Sequence, residues 1–237
     1  MDVPEKAFIL AGGKGERLRP LTADRPKPML PVKGKPILEW GIRHLADFGV
    51  KEVVLGVNYL HEKINEHFGT GENFGIKITY NVEEHFMGTG GALKDAQDLL
   101  SGGRFIMLNG DNMMDIDYAG MLEVHERNNA TGTLALIELE KPRDFGLVDV
   151  DAANPERITA FREKPEEEIG KGLINVGAYI LEQDVFSILP QGECAIERTA
   201  FPDLATEGKL FGYLHRRQWF ATDDLERYNK ACGEWQC

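Results

Sequence analysis

Residues 10–31 read Leu10-Ala-Gly-Gly-Lys-Gly-Glu-Arg-Leu-Arg-Pro-Leu-Thr-Ala-Asp-Arg-Pro-Lys-Pro-Met-Leu-Pro31. The apolar run Ala7–Ala11 feeds straight into this glycine-rich turn, as a buried strand feeds a ligand loop. Gly12, Gly13 and Gly15 carry no Cβ to hold a polyanion away from backbone N–H groups, Leu10 and Ala11 among them. Arg17 follows at once, and Lys27 stands between two prolines ten residues on. Together these residues are expected to form a triphosphate cradle at the end of a strand. The competing reading is a tight strand-to-helix turn with incidental basic residues, but packing gives no reason for a lysine between two prolines.

Two familiar phosphate loops are excluded. A P-loop needs a hydroxyl residue after its lysine, and Lys14 is followed by Gly15. A dinucleotide fingerprint counted from Gly13 would need glycine where Leu18 stands. What remains, Gly-Gly-x-Gly-x-Arg-Leu-x-Pro-Leu-Thr followed by Pro-Lys-Pro, resembles the sugar-1-phosphate nucleotidyltransferase family, the nucleotide-sugar pyrophosphorylases. The resemblance runs from Ala7 to about Tyr228.

The chain has 237 residues, 42% of them hydrophobic and 28% charged, which suits one large globular domain. A net charge of −12 argues against nucleic acid as a partner, so an anionic substrate must be met by a local group of cations. Arg17, Arg19, Arg25 and Lys27 are such a group. Three cysteines without close pairing predict no disulfide framework, and six histidines show no metal-ligand spacing. No apolar run approaches the length of a membrane span and no signal segment opens the chain, so a cytoplasmic protein without a membrane partner is expected. A homo-oligomer is compatible with the sequence.

Strand and helix signals alternate through the first half: strands at Ala7–Ala11, Val53–Val57, Lys77–Asn81 and Phe105–Leu108, and helices from Pro36, at His61–Phe68 and at Gly91–Leu100. This predicts an α/β fold, a doubly wound, mostly parallel, Rossmann-like sheet. After about residue 130 strands dominate (Gly132–Glu138, Leu147–Val150, Ile158–Glu163, Val176–Leu181), with one obvious helix at Gln183–Leu189. They predict a small added β region. A late strand (Leu210–Leu214) and a C-terminal helix (Leu225–Glu234) follow. The expectation is one domain over 1–237, with a nucleotide half to about 130 and a sugar-phosphate half beyond, on the nucleotide-diphospho-sugar transferase fold that the resemblance implies. No hexapeptide repeat follows, so the left-handed β-helix of some relatives is not expected.

Asn109-Gly110-Asp111 follows a strand, which delivers Asp111 to the sheet edge where ligands bind. A carboxylate there suits Mg²⁺, a hard cation that takes few carboxylates plus phosphate oxygens. The resemblance agrees, implying metal binding by Asp111 and nucleotide contacts at Asn109 and Gly110. Near the C-terminus many relatives carry Trp-x-Asp, but Trp219-Phe220 is followed by Ala221. The order Trp219-x-x-Thr222-Asp223-Asp224-Leu225 looks instead like the glucose-1-phosphate cytidylyltransferase branch, with Asp four residues after Trp. That implies Asp223 as second metal ligand, with Asp224 as the substitute. Against it, Asp223-x-x-Glu226 also reads as a capping box for the last helix.

Glu163-Lys164-Pro165 resembles the family's sugar-phosphate motif, the Glu accepting from sugar hydroxyls and the Lys neutralising phosphate; a solvated ion pair is the alternative. Gly146, Asn175 and Gly177 resemble neighbouring sugar contacts. Glu83-x-x-x-x-Gly88-Thr89 matches the second glycine-rich nucleotide segment, where takers of uracil or thymine usually carry Gln at the first position. A carboxylate only accepts hydrogen bonds, and guanine offers adjacent N1–H and N2–H₂ donors, so Glu83 tilts the base towards guanine.

The resemblance therefore implies a magnesium-dependent enzyme: NTP plus sugar 1-phosphate gives NDP-sugar and pyrophosphate, with guanylyl transfer favoured. Arg17, Lys27, Asp111 and Lys164 are the expected catalytic residues. Two alternatives stay open: a non-catalytic regulatory relative, and an enzyme of this fold using a non-sugar phosphate such as phosphocholine. The latter needs an aromatic cage, for which Phe145, Phe161 and Tyr179 form no clustered set in sequence.

Overall fold

A computed structural model describes residues 2–163 and 170–236. The elements in chain order are β1 (Lys6–Leu10), β2 (Pro31–Val32), β3 (Lys35–Pro36), α1 (Ile37–Phe48), β4 (Glu52–Val57), α2 (His61–Phe68), β5 (Lys77–Val82) and α3 (Gly88–Asp95). Then come β6 (Phe105–Asn109), β7 (Met113–Met114), α4 (Tyr118–Arg127), β8 (Gly132–Glu140), β9 (Gly146–Val150) and β10 (Ile158–Glu163). The last are β11 (Lys171–Leu181), α5 (Val185–Ile188), α6 (Ala200–Thr206), β12 (Leu210–Leu214), β13 (Trp219–Phe220) and α7 (Leu225–Glu234).

These elements form two compact units. The first comprises Val3–Phe86, Leu108–Asp115 and the described residues from Arg217 onward. Its sheet is parallel where the βαβ pattern predicts: β1 pairs with β4 from Lys6↔Glu52 to Leu10↔Gly56, and β4 with β5 from Glu52↔Lys77 to Val57↔Val82. The continuous apolar runs of β1 and β4 are buried, as expected for parallel strands covered on both faces. Helix α1 presents Ile37, Leu38, Ile42 and Leu45 inward at helical spacing and stops at Gly49.

A separate apolar cluster ties the chain's distant parts together inside this unit. Leu18 and Leu30 from the glycine-loop region, Val32 of β2, Met113 of β7 and Tyr228, Ala231 and Trp235 at the C-terminal end are all buried in it. The Tyr228 hydroxyl donates to the Pro31 carbonyl at 2.6 Å, and β13 pairs antiparallel with β7. Each large apolar side chain so buried stabilises by roughly 1.5–3 kcal/mol. Residues near 20, 110 and 225 are thus fixed side by side.

The second unit comprises Asp2, Met87–Met107 and Ile116–Arg216. Here the five expected strands form the added β region, which is mixed in direction. Strand β11 runs antiparallel to β8 and β9, β10 antiparallel to β9, and β12 parallel to β8. Helices α4 and α6 are additions to the sequence reading. The first is capped by Asp117, whose carboxylate accepts from the Gly120 N–H at 3.1 Å. The second is only seven residues long, with Pro202 in its first turn. Among the described residues no helix is long and apolar enough to cross a membrane.

Candidate active site

The first unit gathers the charged residues singled out above. Lys27 opens a 3₁₀ turn, Lys27–Met29, entered through Pro26 and fixed by Pro28. Its side chain is 6% exposed, and its Nζ donates to Asp111 Oδ2 at 2.8 Å. A lysine this buried needs a paired charge, and Asp111 supplies it. Gly15 makes the burial sterically feasible. It sits at φ +64°, and a Cβ there would lie 2.8 Å from the Lys27 Cβ and 3.0 Å from Thr22 Cγ2. The Thr22 hydroxyl locks the turn by donating to the Gly15 carbonyl at 2.9 Å. Gly13 differs, since a Cβ there would meet nothing within 4 Å.

Several backbone groups of the expected cradle are already used within the fold. The Ala11 N–H donates to the Gly56 carbonyl at 2.8 Å, and the Gly110 N–H to the Leu10 carbonyl at 2.9 Å. Gly110 is glycine because β1 passes so close: a Cβ would stand 2.8 Å from the Leu10 oxygen and 2.6 Å from Ile9. Asn109 Oδ1 is buried without a hydrogen-bond partner. Glu83 is buried, its Oε1 3.5 Å from where a Cβ on Gly12 would sit. Its carbonyl accepts from Asn58 Nδ2 at 2.7 Å. Arg25 is turned to the neighbouring Asp24 at the surface.

Asp223 and Asp111 are brought together by the residue between Ala221 and Asp223. Thr222 is fully buried, and its hydroxyl donates to the Asp111 carbonyl oxygen at 2.5 Å. Helix α7 is capped by Asp224, whose Oδ1 accepts from the Arg227 N–H at 2.8 Å. The capping role read for Asp223 therefore falls one residue later, and Asp223 is left for ion pairs. Arg227 Nη1 reaches both its oxygens, at 2.9 and 3.1 Å, and Arg17 Nη1 reaches Oδ2 at 3.0 Å. Burial alone would raise the Asp223 carboxyl; the Arg227 hydrogen bonds, with the Arg227 and Arg17 charges, hold it below the usual carboxylate value.

In the second unit Gly88 lies at φ +70°, where a Cβ would be 2.5 Å from the Cys194 carbonyl oxygen. The Gly90 and Gly91 N–H groups donate to that same oxygen at 2.9 and 3.1 Å. The Thr89 hydroxyl bonds Glu197 and accepts from the Ile196 N–H. This glycine-rich segment is thus packed against residues 194–197. Strand register places Glu163 opposite Gly146, and a Cβ on Gly146 would be 2.8 Å from Glu163 Oε2. Asn175 spans a β-bulge: its Oδ1 accepts from the Gly177 N–H at 2.9 Å and its Nδ2 donates to the Tyr179 hydroxyl at 2.8 Å. Lys164 lies outside the described residues. Phe161 and Tyr179 are buried against Phe201 at ring distances of 5.4 and 5.1 Å, so both are core rather than walls of a cage.

A sequence model of the nucleotidyl transferases matches residues 6–233. The chain belongs to the nucleotidyl transferase family. This family member is 39% identical over 216 residues to a mannose-1-phosphate guanylyltransferase of Mycobacterium tuberculosis, a match covering 90% of this chain and 59% of that protein. It is 36% identical over 211 residues to a mannose-1-phosphate guanyltransferase of Saccharomyces cerevisiae, covering 88% and 58%. This nucleotidyl transferase chain therefore spans about 59% of the length of the curated relatives it matches. Among solved structures it resembles HddC from Yersinia pseudotuberculosis complexed with GMP-PN, with a TM-score of 0.81, 28% identity, and coverage of 98% and 99% of the two chains.

The donor set of the first unit fits a magnesium ion. Mg²⁺ asks for one or two carboxylates and fills its shell with water and phosphate oxygens, so a cage of three or more acidic groups is not required. Asp111 and Asp223 are hard oxygen donors on adjoining backbone, and the Asp111 side chain is 39% exposed with only Oδ2 given to Lys27. Arg227 and Thr222 were not singled out in the sequence. Arg227 was within reach, because it stands in the first turn of the expected last helix, four residues after Asp223. Thr222 acts through tertiary contact alone.

Proposed function

We propose that this chain transfers a guanylyl group from GTP to a sugar 1-phosphate, mannose 1-phosphate first among candidates, giving GDP-sugar and pyrophosphate. One observation carries the reading: Asp111 and Asp223 are tied together through Thr222, and each is paired with a cation from the glycine-loop region, Lys27 and Arg17. Relatives named as mannose-1-phosphate guanylyltransferases, and a structural neighbour complexed with GMP-PN, support the guanine and the mannose. So does the buried carboxylate of Glu83 beside Gly12.

In this reaction a non-bridging oxygen of the sugar phosphate attacks the α-phosphorus in line, and pyrophosphate leaves. The attacking phosphate is already ionised, so no general base is needed, and catalysis reduces to positioning and charge neutralisation. Lys27, fixed under Gly15, holds a charge where phosphate arrives without having to be reorganised. Arg17, on an exposed side chain, follows the departing pyrophosphate. Asp111 and Asp223 would hold Mg²⁺, which when bound supplies charge neutralisation on phosphate oxygens. For the sugar phosphate, Glu163 would accept from hydroxyls beside Gly146, Asn175 and Gly177, and Lys164 would meet the phosphate. Residues 1–237 would act as one catalytic domain. The free thiols of Cys194 and Cys232 support a reducing compartment, and the cytoplasm is the proposed one.

The test is a pyrophosphate-release screen of five NTPs against a panel of sugar 1-phosphates in magnesium. GTP with mannose 1-phosphate is expected to give the highest kcat/KM. Release with UTP or dTTP alone overturns the guanylyl assignment. Silence with every pair supports the non-catalytic relative, the reading that Ala221 favours.

A further inference from the structure

Asp223 is gripped by two guanidinium groups of unlike standing. Arg227 is anchored on all sides: its N–H is bonded to Asp224 Oδ1, its Nε faces Asp224 Oδ2 at 3.5 Å, and one Nη spans both Asp223 oxygens. Arg17 is not. It reaches Asp223 Oδ2 at 3.0 Å with a side chain 70% exposed, at the end of a glycine-rich loop. An exposed pair of this kind has a small net stability and exchanges readily. A triphosphate offers arginine several oxyanions in the geometry its fork prefers, and outcompetes one carboxylate. Arg227 stays on both oxygens, so Oδ2 carries two guanidinium contacts while Arg17 rests on it and one after it leaves, and a divalent cation meets less positive charge there once Arg17 has withdrawn.

The geometry at Asp111 is different. Lys27 is enclosed beneath Gly15 and Thr22 and has nowhere to withdraw to, but it takes only Oδ2 and leaves Oδ1 of a partly exposed carboxylate. Asp111 can therefore accept a cation on Oδ1 with Lys27 in place, whereas Asp223, with Arg227 on both oxygens, is eased for one at Oδ2 as Arg17 leaves.

We infer that Arg17 guards Asp223: it holds the carboxylate in the nucleotide-free protein and surrenders it when phosphate draws the guanidinium away, so that the second metal carboxylate is opened by the nucleotide itself. The inference rests on the reading of Asp223 and Arg17 given under Proposed function. By linkage the effect is reciprocal, nucleotide and cation each tightening the other at Asp223. It gives Arg17 a role before the reaction that is separate from holding the leaving group.

The experiment titrates Mn²⁺ alone into the nucleotide-free chain and reads free Mn²⁺ by its paramagnetic resonance signal. The parent protein, Arg17→Gln, Asp223→Asn and the double variant are compared, with thermal melts confirming that each is folded. Removing the guard is expected to tighten Mn²⁺ about fivefold, the scale of one exposed ion pair. Asp223→Asn alone should leave the affinity near the parent value, because the guarded carboxylate contributes little. In the double variant the gain should vanish. Unchanged or weaker Mn²⁺ binding in Arg17→Gln overturns the inference, as does a gain that survives in the double variant. Should the glutamine variant melt early, Arg17→Met gives the same readout. Failure of the underlying reading shows elsewhere, as a parent protein that releases no pyrophosphate; a parent active in that assay with unaltered Mn²⁺ affinity in Arg17→Gln sinks the guard alone.

Discussion

The chain carries two glycine-rich turns of similar composition, residues 12–15 and 88–91, and their glycines serve different ends. In the first, Gly13 faces open space, and Gly15 is small so that a lysine can lie beneath it. In the second, Gly88, Gly90 and Gly91 are all crowded, a Cβ on each meeting backbone of residues 192–196 at 2.4–2.9 Å. One turn leaves room and positions charge, whereas the other is filled by its own fold. Glycine content alone does not tell what each missing Cβ makes room for; its surroundings do, open space at Gly13 and neighbouring backbone at Gly88.

The largest effect should come from the charge that the first turn positions. Asp111→Asn keeps size but removes the Lys27 counter-charge and a hard oxygen donor, so pyrophosphate release should fall at least about 100-fold, roughly 2.7 kcal/mol of barrier. The melting temperature should also drop, since Lys27 is left buried without its ion-pair partner. Near-normal turnover in saturating magnesium would break the comparison at its first member. Gly88→Ala tests the second. A side chain at φ +70° with its Cβ 2.5 Å from a carbonyl oxygen combines backbone strain and overpacking, so a stability loss of about 2–4 kcal/mol is expected in denaturant melts. A neutral result would mean that residues 194–197 can move aside.

Asp223 and Asp224 sharpen the contrast within the first unit, because the structure puts the helix cap on Asp224 and leaves Asp223 in ion pairs with Arg17 and Arg227. Asp223→Asn should slow turnover more than about tenfold, some 1.4 kcal/mol, with little change in melting. Asp224→Ala should do the reverse, losing about 1 kcal/mol of stability with its cap while turnover falls less than threefold. If the two variants exchanged phenotypes, Asp224 would be the metal ligand.

Periodicity made much of the fold legible: the strands from residues 7, 53, 77 and 105 and the helix after Pro36 all appear where apolar spacing places them. Helices α4 and α6 were obscured by their own residues, Gly120 within the first and Pro202 in the first turn of the second, which weaken the local helical signal. That Lys27 meets Asp111 could be anticipated, because both follow parallel strands and the carboxyl ends of such strands share one edge. The cap could not be placed to a single residue, since Asp223 and Asp224 both suit it and only the position of the Arg227 N–H decides. The duties of Gly15, Gly88 and Thr222 arise from contacts 7 to 111 residues away, beyond the reach of local pattern.

The smallest stability effect is expected at Gly13, and it tests the comparison most directly. An added methyl there meets no atom within 4 Å, and the residue does not occupy the left-handed region. Gly13→Ala should therefore shift stability by no more than about 0.5 kcal/mol, and a slight gain is allowed because alanine has fewer unfolded conformations to lose. If the open space is where a triphosphate's oxygens approach the backbone, the same methyl should raise the KM for GTP several-fold while leaving the KM for the sugar phosphate unchanged. A variant with unaltered stability and unaltered KM would show that the space is mere solvent. The first turn would then matter only as the mount for Lys27, a packing turn like the second. Unaltered stability with a raised KM for GTP alone would establish that the turn is a cradle, since no structural disturbance remains to account for the loss.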